Sequence, residues 1–557
     1  MPLDRGFRYR GDPRLNISKL RLAHAKTHFS RDQASPSHAN MRKTGGLAAS
    51  AAAICALCGS AFADQLPPPP PAPPASTAPA PSSPAPPGDS AAPPAVDSNN
   101  EQESPPTRTR RVNTGGSTSA SIESQPLPAS TDDTRTFPIV GSWTDGLQLE
   151  SEDKQYHFHF GGIGQIDSVW YIGPASAFNN AGGSTSTVQN ASATLLRRAI
   201  LQADGDLFQQ FDYVIQFDFA NASNDNDGEQ APTFGNLTTS PAPLNIWLQV
   251  RDVPYLGYVR FGNQTKTIGM DNNTSATDLP FMERSDNQDA FYGPFDNGFS
   301  LGITAWNWTP DERVTWRYGI FRPATNVFGV ALEKYTIGAR VTALPWYEDD
   351  GRALIHLGLG YWGGDLVQDE LRDRARVILR NAPGFTVPIL VDTMEIAGSH
   401  QYTIGPEFAL VWGSLTIQAE YAGQFLTDAT PNGVNVGTVF YRGGYVEALY
   451  FLTGEYQPYD KRAGVFGRVT PLHDYHLKKD DCHWSCGAWQ VGVRFSWLDL
   501  NDKTIDGGNV YDWTAGLNWF LNANMKVQFN AIAEHHDAPG VTPGWISGAG
   551  VRVAFDF

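Results

Sequence analysis

The last seven residues of the chain, 551–557, alternate between apolar side chains and side chains that are charged or small. At the two-residue period of a β-strand, one face carries Val551, Val553, Phe555 and Phe557, and the other carries Arg552, Ala554 and Asp556. One face suits lipid and the other suits water, and the chain ends on an aromatic residue with no tail to cover a sheet edge. We therefore expect this strand to close a β-barrel by pairing with an earlier strand; the alternative is the edge strand of a soluble β-sandwich.

The same alternation recurs in the segments 213–221, 417–421, 511–519 and 525–531, which are separated by turns rich in Gly, Asn, Asp and Pro. A soluble sandwich shows this alternation with its faces swapped, so the pattern alone does not decide between the two folds. The export signal described below, the lack of helical patterns and the aromatic strand ends favour the barrel. At roughly 25 residues per strand and connection, residues 155–557 predict an all-β, antiparallel transmembrane β-barrel of about 16 strands.

Composition agrees with a barrel that has aromatic girdles and a wet interior. The chain has 54 Gly, 15 Trp, 20 Tyr and 30 Phe, yet its mean hydropathy is −0.33. After residue 63 it contains no apolar run long enough for a membrane helix. The net charge is −17, and the first 63 residues carry ten Lys or Arg against three Asp or Glu, which leaves −24 on residues 64–557. Such a chain has no general basic surface for nucleic acid and no bulk attraction for anions.

The N-terminal part of the chain predicts targeting and spacing segments. Residues 41–63 have the positive start, short apolar core and small residues at the cleavage position that are typical of a secretory signal peptide. Since a signal peptide belongs at the N-terminus, we expect Met41 to be the true start and residues 1–40 to be upstream sequence. Residues 64–154 form a linker and lead-in rich in Pro, Ala and Ser, and we expect this extension to be disordered. It is either a spacer that reaches toward the cell wall or a tether without a partner.

Several segments of residues 155–557 resemble the phosphate-selective porin O and P family. The sequences that carry the resemblance lie at 197–201, 217–221, 259–266, 281–285, 444–448, 450–455, 467–469, 487–490, 498–502 and 516–519. The resemblance implies a sixteen-stranded outer-membrane barrel, usually a homotrimer, whose third extracellular loop folds into the lumen. It also implies that arginines line the approach and that a lysine with further arginines binds anions at the narrowest point, since guanidinium groups offer a fixed fork of donors.

Carried over to this chain, the resemblance places the inward-folding loop at residues 267–285, just after Lys266. Lys266 and Arg284 are therefore candidates to contact anions at the constriction. The same stretch contains Asp271, Asp278 and Glu283, so the loop is net acidic. The alternative is that these cations form ion pairs that fix the loop to the barrel wall.

A second set of candidates, more weakly supported by the resemblance, is Arg372, Arg374, Arg376 and Arg380. In an extended segment, a spacing of two places the first three on one side, as a stepped row of anion contacts requires. At helical spacing they scatter, and the neighbouring acidic residues would make the segment a solvated, salt-bridged loop.

Strand parity sorts the remaining basic residues. Arg197 and Arg198 are adjacent, so they should face opposite ways; the parity of Ala199 and Leu201 predicts that Arg197 faces outward and Arg198 faces the lumen. Further residues predicted to face inward are Arg442, Arg468, Arg552 and Lys526. Glu447 shares the parity of Tyr445 and Leu449, which is an unexpected place for a charge if that face contacts lipid.

Cys482 and Cys486 are predicted to form a disulfide, because the protein is exported and the two residues are close in sequence. With His473 and His476 nearby, a Cys2His2 zinc site is the alternative. The sequence shows no nucleophile elbow, phosphate-binding loop or zinc-protease motif. We therefore expect neither enzyme activity nor a metal or other cofactor.

These observations predict an outer-membrane porin that passes small hydrophilic solutes by passive diffusion, with phosphate or other anions favoured by the family resemblance. The acidic balance leaves a general or weakly cation-tolerant channel as an alternative. A third possibility is a plugged structural barrel that is tethered to the cell wall. The expected partners are outer-membrane lipid, small anions or other solutes, and two further copies of the chain.

Overall fold

The computed structural model describes residues 138–178, 181, 192–220, 242–293, 298–323, 333–380, 387–475 and 487–557. The predicted start, signal peptide, most of the linker, and both Cys482 and Cys486 lie outside these residues. Of the cysteine and histidine cluster, only His473 is described. Within the described ranges, no helix has the length and apolar character needed to cross a membrane.

The described residues form β-strands almost throughout. In chain order the strands are β1 (Ile139–Trp143), β2 (Leu147–Ser151), β3 (Tyr156–Ile172), β4 (Ala193–Leu207), β5 (Phe211–Asp218), β6 (Ala242–Val253), β7 (Gly257–Thr265), β8 (Phe299–Trp308), β9 (Val314–Phe321), β10 (Thr336–Glu348), β11 (Ala353–Asp365), β12 (Glu370–Leu371), β13 (Arg374–Arg376), β14 (Ile389–Asp392), β15 (Ile396–Ala397), β16 (His400–Trp412), β17 (Leu415–Ala429), β18 (Gly437–Phe451), β19 (Tyr459–Asp460), β20 (Val465–Phe466), β21 (Ala488–Asp502), β22 (Ile505–Asn522), β23 (Met525–Asp537) and β24 (Gly544–Asp556). Two short helices, α1 (Met270–Asn273) and α2 (Asp286–Phe291), interrupt the pattern, as do single 3₁₀ turns at Ala175–Phe178, Asp349–Gly351 and Pro431–Gly433.

Eighteen of the described strands belong to one antiparallel sheet. Two of them, β1 and β2, form a hairpin that continues along the start of β3. The other sixteen are paired neighbour to neighbour, and the last strand, β24, pairs with β3 over Ser547–Ile172 to Asp556–Ile163. The sheet is therefore a closed sixteen-stranded barrel, and the prediction that the terminal strand closes it is confirmed.

The two faces of the strands separate by polarity as the sequence predicts. On the outer face, Trp513 is 51% exposed and Phe529 is 41% exposed, whereas the inward Gln528 and Arg552 are both 0% exposed. A soluble β-sandwich buries its apolar face and exposes its polar face, so this arrangement excludes that alternative. A polar lumen inside an apolar outer wall suits a barrel surrounded by lipid.

The two ends of the barrel differ in their connections. At the end that holds Tyr156 and Phe557, which we call the turn end, short turns join most strands; at the opposite end, which we call the loop end, most connections are longer. Among the described residues, parts of three connections enter the lumen. The inward loop (residues 266–293 and 298) and the second inward loop (366–380 and 387–399) come from the loop end, and a turn-end hairpin (459–466) comes from the long connection between β18 and β21.

The turn-end hairpin is held in the lumen mainly by burial. Val465 and Phe466 pack in one cluster with Met270 of the inward loop and with Leu344 and Leu354 of the wall. Full burial of a phenylalanine side chain stabilises by about 1.5–3 kcal/mol. Arg340 adds hydrogen bonds from its guanidinium to the carbonyl oxygens of residues 463 and 464, at 3.1 and 2.7 Å.

An ion pair at the barrel end also contacts the hairpin. The carboxylate of Glu312, in the turn after β8, lies 2.8 Å from Lys461 Nζ and 2.7 Å from Arg462 Nε. Hydrogen bonds from these two cations hold the pKa of Glu312 below its usual range. The contact is therefore present at neutral pH and is lost as the pH falls through this lowered pKa. Surface pairs of this kind contribute only about 0–1 kcal/mol.

We predict that Phe466→Ala loosens the hairpin and raises both the mean conductance and the current noise of single molecules in a planar bilayer. The reason is that truncation removes the buried contact that keeps the hairpin in the lumen. Glu312→Gln is the matched control and should leave the conductance nearly unchanged, as should mild acidification. A larger effect of Glu312→Gln than of Phe466→Ala would show that the surface ion pair, and not burial, holds the hairpin.

Candidate functional site

The inward loop lies directly against the barrel wall because the wall offers glycines where the loop passes. A Cβ atom added at Gly360 would lie 2.8 Å from Ile268 Cγ1, and one added at Gly516 would lie 2.9 Å from Phe281 Cε1. Both distances are shorter than a van der Waals contact between carbon atoms. The absence of side chains at these inward positions therefore sets how closely the loop approaches the wall.

Helix α1 of the inward loop is anchored by Glu420 of β17. The Glu420 carboxylate accepts hydrogen bonds from the backbone N–H groups of Met270, at 2.9 Å, and Asp271, at 2.6 Å. The hydroxyl of Tyr445, on β18, also donates to Glu420. A carboxylate is well suited to this position because the first N–H groups of a helix have no partner within the helix.

The centre of the inward loop is held by a buried ion cluster. Glu283 Oε1 lies 2.8 Å from Arg197 Nε of β4 and 2.8 Å from Arg552 Nη2 of β24. Arg552 Nη2 also lies 2.7 Å from Asp167 Oδ2 of β3. Burial alone would raise the pKa of Glu283, but Arg197 and Arg552 hold that pKa well below its usual range. The cluster therefore fastens the loop to the three strands around the closing seam of the barrel.

The outward position predicted for Arg197 is wrong, because β4 contains a β-bulge at this residue. Arg198 pairs with Gln165 and Leu196 pairs with Ile166, so Arg197 has no partner on β3. The extra residue shifts the parity, and both arginines turn to the lumen. Arg197 meets Glu283, while Arg198 Nη1 donates to Gln165 Oε1 at 2.6 Å.

Lys266 and Arg284 both lie inside the barrel, as the family resemblance implies. Lys266 is buried, with its Nζ 5.4 Å from the ring centre of Trp362. Arg284 donates to the carbonyl oxygens of Asp271, at 2.8 Å, and Thr274, at 2.7 Å. Arg284 thus braces the inward loop against itself. Ion pairs between the inward loop and the wall are made by Glu283, and the anion contacts of Lys266 and Arg284 stay a prediction.

Three of the four arginines of the second inward loop, Arg374, Arg376 and Arg380, are buried, and Arg372 is partly buried, which does not fit a solvated loop. Arg374 and Arg376 lie in β13, whose pairing with β14 confirms the extended conformation. Arg372 Nη2 lies 2.7 Å from Asp392 Oδ2, Arg376 Nη2 lies 2.8 Å from Asp289 Oδ1, and Arg380 Nε lies 3.4 Å from Asp289 Oδ2. At least three members of the row therefore contact carboxylates, and two of them tie this loop to helix α2. Whether the row also contacts anions stays a prediction.

Of the other basic residues that were predicted to face inward, two are buried in the lumen and one lies at the turn end. Arg552 is inward and buried, and so is Lys526, whose Nζ lies 2.9 Å from the carbonyl oxygen of Leu279. Arg468 pairs with Asp145 and Asp556 at the turn end of the barrel.

The inward position predicted for Arg442 on β18 is wrong. Tyr441 on the same strand faces inward, so its neighbour Arg442 lies on the outer face. There Arg442 lies 3.2 Å from Asp499. The parity of Tyr445 is likewise inward, so Glu447 is a buried lumenal residue, and its position needs no special explanation.

Sequence reasoning missed two lumenal arginines, Arg260 of β7 and Arg317 of β9. Arg260 donates from Nε and Nη2 to Gln249 Oε1, at 3.1 and 2.9 Å. The guanidinium carbon of Arg317 lies 5.1 Å from the ring centre of Trp306. Alternation at period two could have identified both arginines as lumenal, since their neighbours Phe261 and Tyr318 point outward and are exposed.

A closed antiparallel barrel with an apolar outer wall, a polar and charged lumen, and loops folded into that lumen is an outer-membrane channel of the porin type. The chain belongs to the phosphate-selective porin O and P family, whose model matches residues 171–557. The family and the fold are those of channels. In outer-membrane barrels short turns face the periplasm, so the turn end is the periplasmic end.

Individual proteins show the same similarity. A protein of Caulobacter vibrioides described only as uncharacterized is 27% identical over 386 residues, which cover 65% of this chain and 68% of that protein. Porin O of Pseudomonas aeruginosa is 24% identical over 416 residues, which cover 70% of this chain and 85% of that protein. Among solved structures, the anion-selective porin from Comamonas acidovorans is 13% identical, with a TM-score of 0.40 over 72% of this chain and 99% of its own.

We predict that Glu283→Gln releases the inward loop from the closing seam. Removing one partner of a buried ion cluster leaves the other charges uncompensated, at a cost of about 3–5 kcal/mol. The measurable result is a lower urea midpoint for unfolding of the barrel in detergent, together with a higher conductance. Glu312→Gln, which breaks an exposed ion pair at the turn end, is the control and should leave both quantities near those of the parent protein. Equal effects of the two substitutions would contradict a special role for the buried cluster.

Proposed function

We propose that this outer-membrane channel passes small hydrophilic solutes by passive diffusion and favours anions, phosphate among them. The observation that carries the proposal is that some lumenal arginines are paired with a carboxylate and others are not. Within the described residues, Arg198, Arg260 and Arg317 have no ion pair with a carboxylate, whereas Arg197, Arg340 and Arg552 do. Guanidinium groups with neutral partners keep donors and a positive charge for a passing oxyanion.

Several acidic residues of the lumen support the same conclusion. Glu407, like Asp167 and Glu283, lies beside an arginine, and Glu420 is occupied by backbone N–H groups of the inward loop. Burial and the neighbouring Asp512 raise the pKa of Asp286 in helix α2, which favours its uncharged form. The net negative charge of the chain therefore does not describe the surface that a solute meets in the lumen.

The anion contacts proposed for this channel include the candidates from the sequence. Arg198 is the strongest of them because its hydrogen-bond partner, Gln165, is neutral. Lys266 and Arg284 lie in or beside the inward loop, and Arg284 donates to carbonyl oxygens. Arg372 and Arg376 have carboxylate partners and serve first to position the second inward loop.

We predict an anion-selective zero-current potential for the purified protein in a planar bilayer under a KCl gradient, with current that added phosphate blocks. Arg198→Gln should move this potential toward cation selectivity and weaken the block, because it removes a lumenal charge without breaking an ion pair. Arg313→Gln, at an exposed turn of the periplasmic end, is the matched control and should change neither.

The other possible results favour the alternatives. A weak or cation-selective potential without phosphate block would leave a general, non-selective porin. If no conductance is found, the three segments that enter the lumen would favour the plugged structural barrel. Deleting residues 64–134 then tests that role, because a wall-tethered barrel should lose envelope integrity without its linker.

We also propose that the chain works as a homotrimer. Arg442 and Asp499 form an ion pair on the outer wall, and charged groups that face hydrocarbon are costly. A subunit contact over this part of the wall would remove that cost. Sedimentation of the detergent-solubilised protein should give the mass of three chains, and a monomer at all concentrations would contradict the trimer.

A further inference from the structure

The periplasmic half of the wall formed by β6 to β9 presents a group of aromatic rings to the lumen. The ring centres of Tyr258, Trp306 and Trp308 lie 5.1–5.3 Å from one another. All three are partly buried and lie near the turns that join these strands. Their position differs from that of a lipid-facing girdle, because Phe261 and Ile303 on the same strands face outward.

Arginines continue this group of rings around the wall. In the sheet register, Trp306 is paired with Tyr258 on one side and with Arg317 on the other, and Arg317 is paired with Arg340 of β10. One level of the wall therefore passes from two aromatic residues to two guanidinium groups. Arg260 adds a third cation, with its guanidinium carbon 3.7 Å from the ring centre of Trp247.

The three arginines of this group differ in their partners. Arg340 is paired with Glu407, at 2.7 Å. Arg317, in contrast, has neither a hydrogen bond nor an ion pair with any described residue, and Arg260 is hydrogen-bonded to a neutral amide. Their donors are positioned by the aromatic rings beneath them and by Gln249. Two cations held in this way match the two negative charges of a phosphate monoester.

A narrow recess opens against Trp306 and Arg317. Trp306 and Arg317 line it from the wall, Arg462 lines it from the turn-end hairpin, and Thr267 lines it from the inward loop. Thr267 is fully buried, and its hydroxyl has no hydrogen-bond partner among the described residues. The recess thus lies where the wall, the inward loop and the turn-end hairpin meet.

We propose that this wall binds phosphate monoesters that carry a sugar ring. Arg260 and Arg317 would contact the phosphate, and the rings of Trp306 and its neighbours would pack against the C–H faces of the sugar. Inorganic phosphate satisfies only the guanidinium groups, so it leaves the aromatic surface unused. The inference rests on the proposed anion selectivity and adds a substrate class to it.

The test compares three ligands of similar charge: glucose 6-phosphate, glycerol 3-phosphate and inorganic phosphate. Their dissociation constants are measured by calorimetry on the purified full chain in detergent, so the result does not depend on conduction. Glucose 6-phosphate should bind about tenfold more tightly than the other two, which corresponds to about 1.4 kcal/mol of contact with the aromatic rings. Unphosphorylated glucose should bind more weakly than any of them.

Three variants separate the contributions. Trp306→Leu should remove most of the preference for glucose 6-phosphate over glycerol 3-phosphate, and Trp306→Phe, which keeps a ring, should restore part of it. Arg317→Gln should weaken all three phosphates by about tenfold or more, as expected for a lost charge-assisted hydrogen bond. Trp513→Leu, on the lipid face, should change nothing.

The outcomes distinguish this inference from the proposed function. Equal affinity for glucose 6-phosphate and glycerol 3-phosphate would overturn the inference even if the channel is anion-selective and blocked by phosphate. A Trp306→Leu variant that keeps the full ring preference would overturn it as well. A channel without anion selectivity would contradict the proposed function, and ring-dependent binding that Arg317→Gln weakens would still support the wall as the binding surface.

Discussion

The ion pair between Arg552 of β24 and Asp167 of β3 joins the two strands that close the barrel, and Glu283 extends it to the inward loop. The residues are buried, so each charge depends on the others for compensation. A buried ion cluster contributes little net stability compared with apolar packing, but it is costly to break. We infer that its main effect is geometric: closure of the barrel and the position of the inward loop are fixed by the same interaction.

Glycines at inward positions of the wall complete this constraint. They let the loop approach the strands closely, so polar side chains of the loop and the wall meet directly. Carboxylates and guanidinium groups that meet there neutralise one another and become structural. The cations that we propose for contact with a solute are those placed beside amides or aromatic rings, such as Arg198, Arg260 and Arg317.

The sequence predicted the features that depend on local pattern. Alternation at period two places Trp513 outside and Thr514 inside. The terminal strand predicted closure of the barrel, and the length of residues 155–557 predicted about 16 strands. The pattern failed at Arg197 because one extra residue in a strand reverses the parity, and nothing in β4 alone reveals that β3 lacks a partner for it. The partners of Glu283 and Arg376 were also not predictable, since they depend on contacts between residues that are distant in sequence.

The distribution of partners decides which arginines a solute can use. An oxyanion that approaches Arg376 has to displace Asp289, and a displaced carboxylate in a buried site loses the compensation worth about 3–5 kcal/mol. An oxyanion that approaches Arg317 displaces no carboxylate of the described residues, so the contact it gains is not offset in this way. A row of arginines in the sequence is therefore a weaker indication of anion contact than a single arginine whose neighbours are neutral. By this criterion, the anion selectivity that we propose would depend more on the strands of the wall than on the arginine-rich second inward loop.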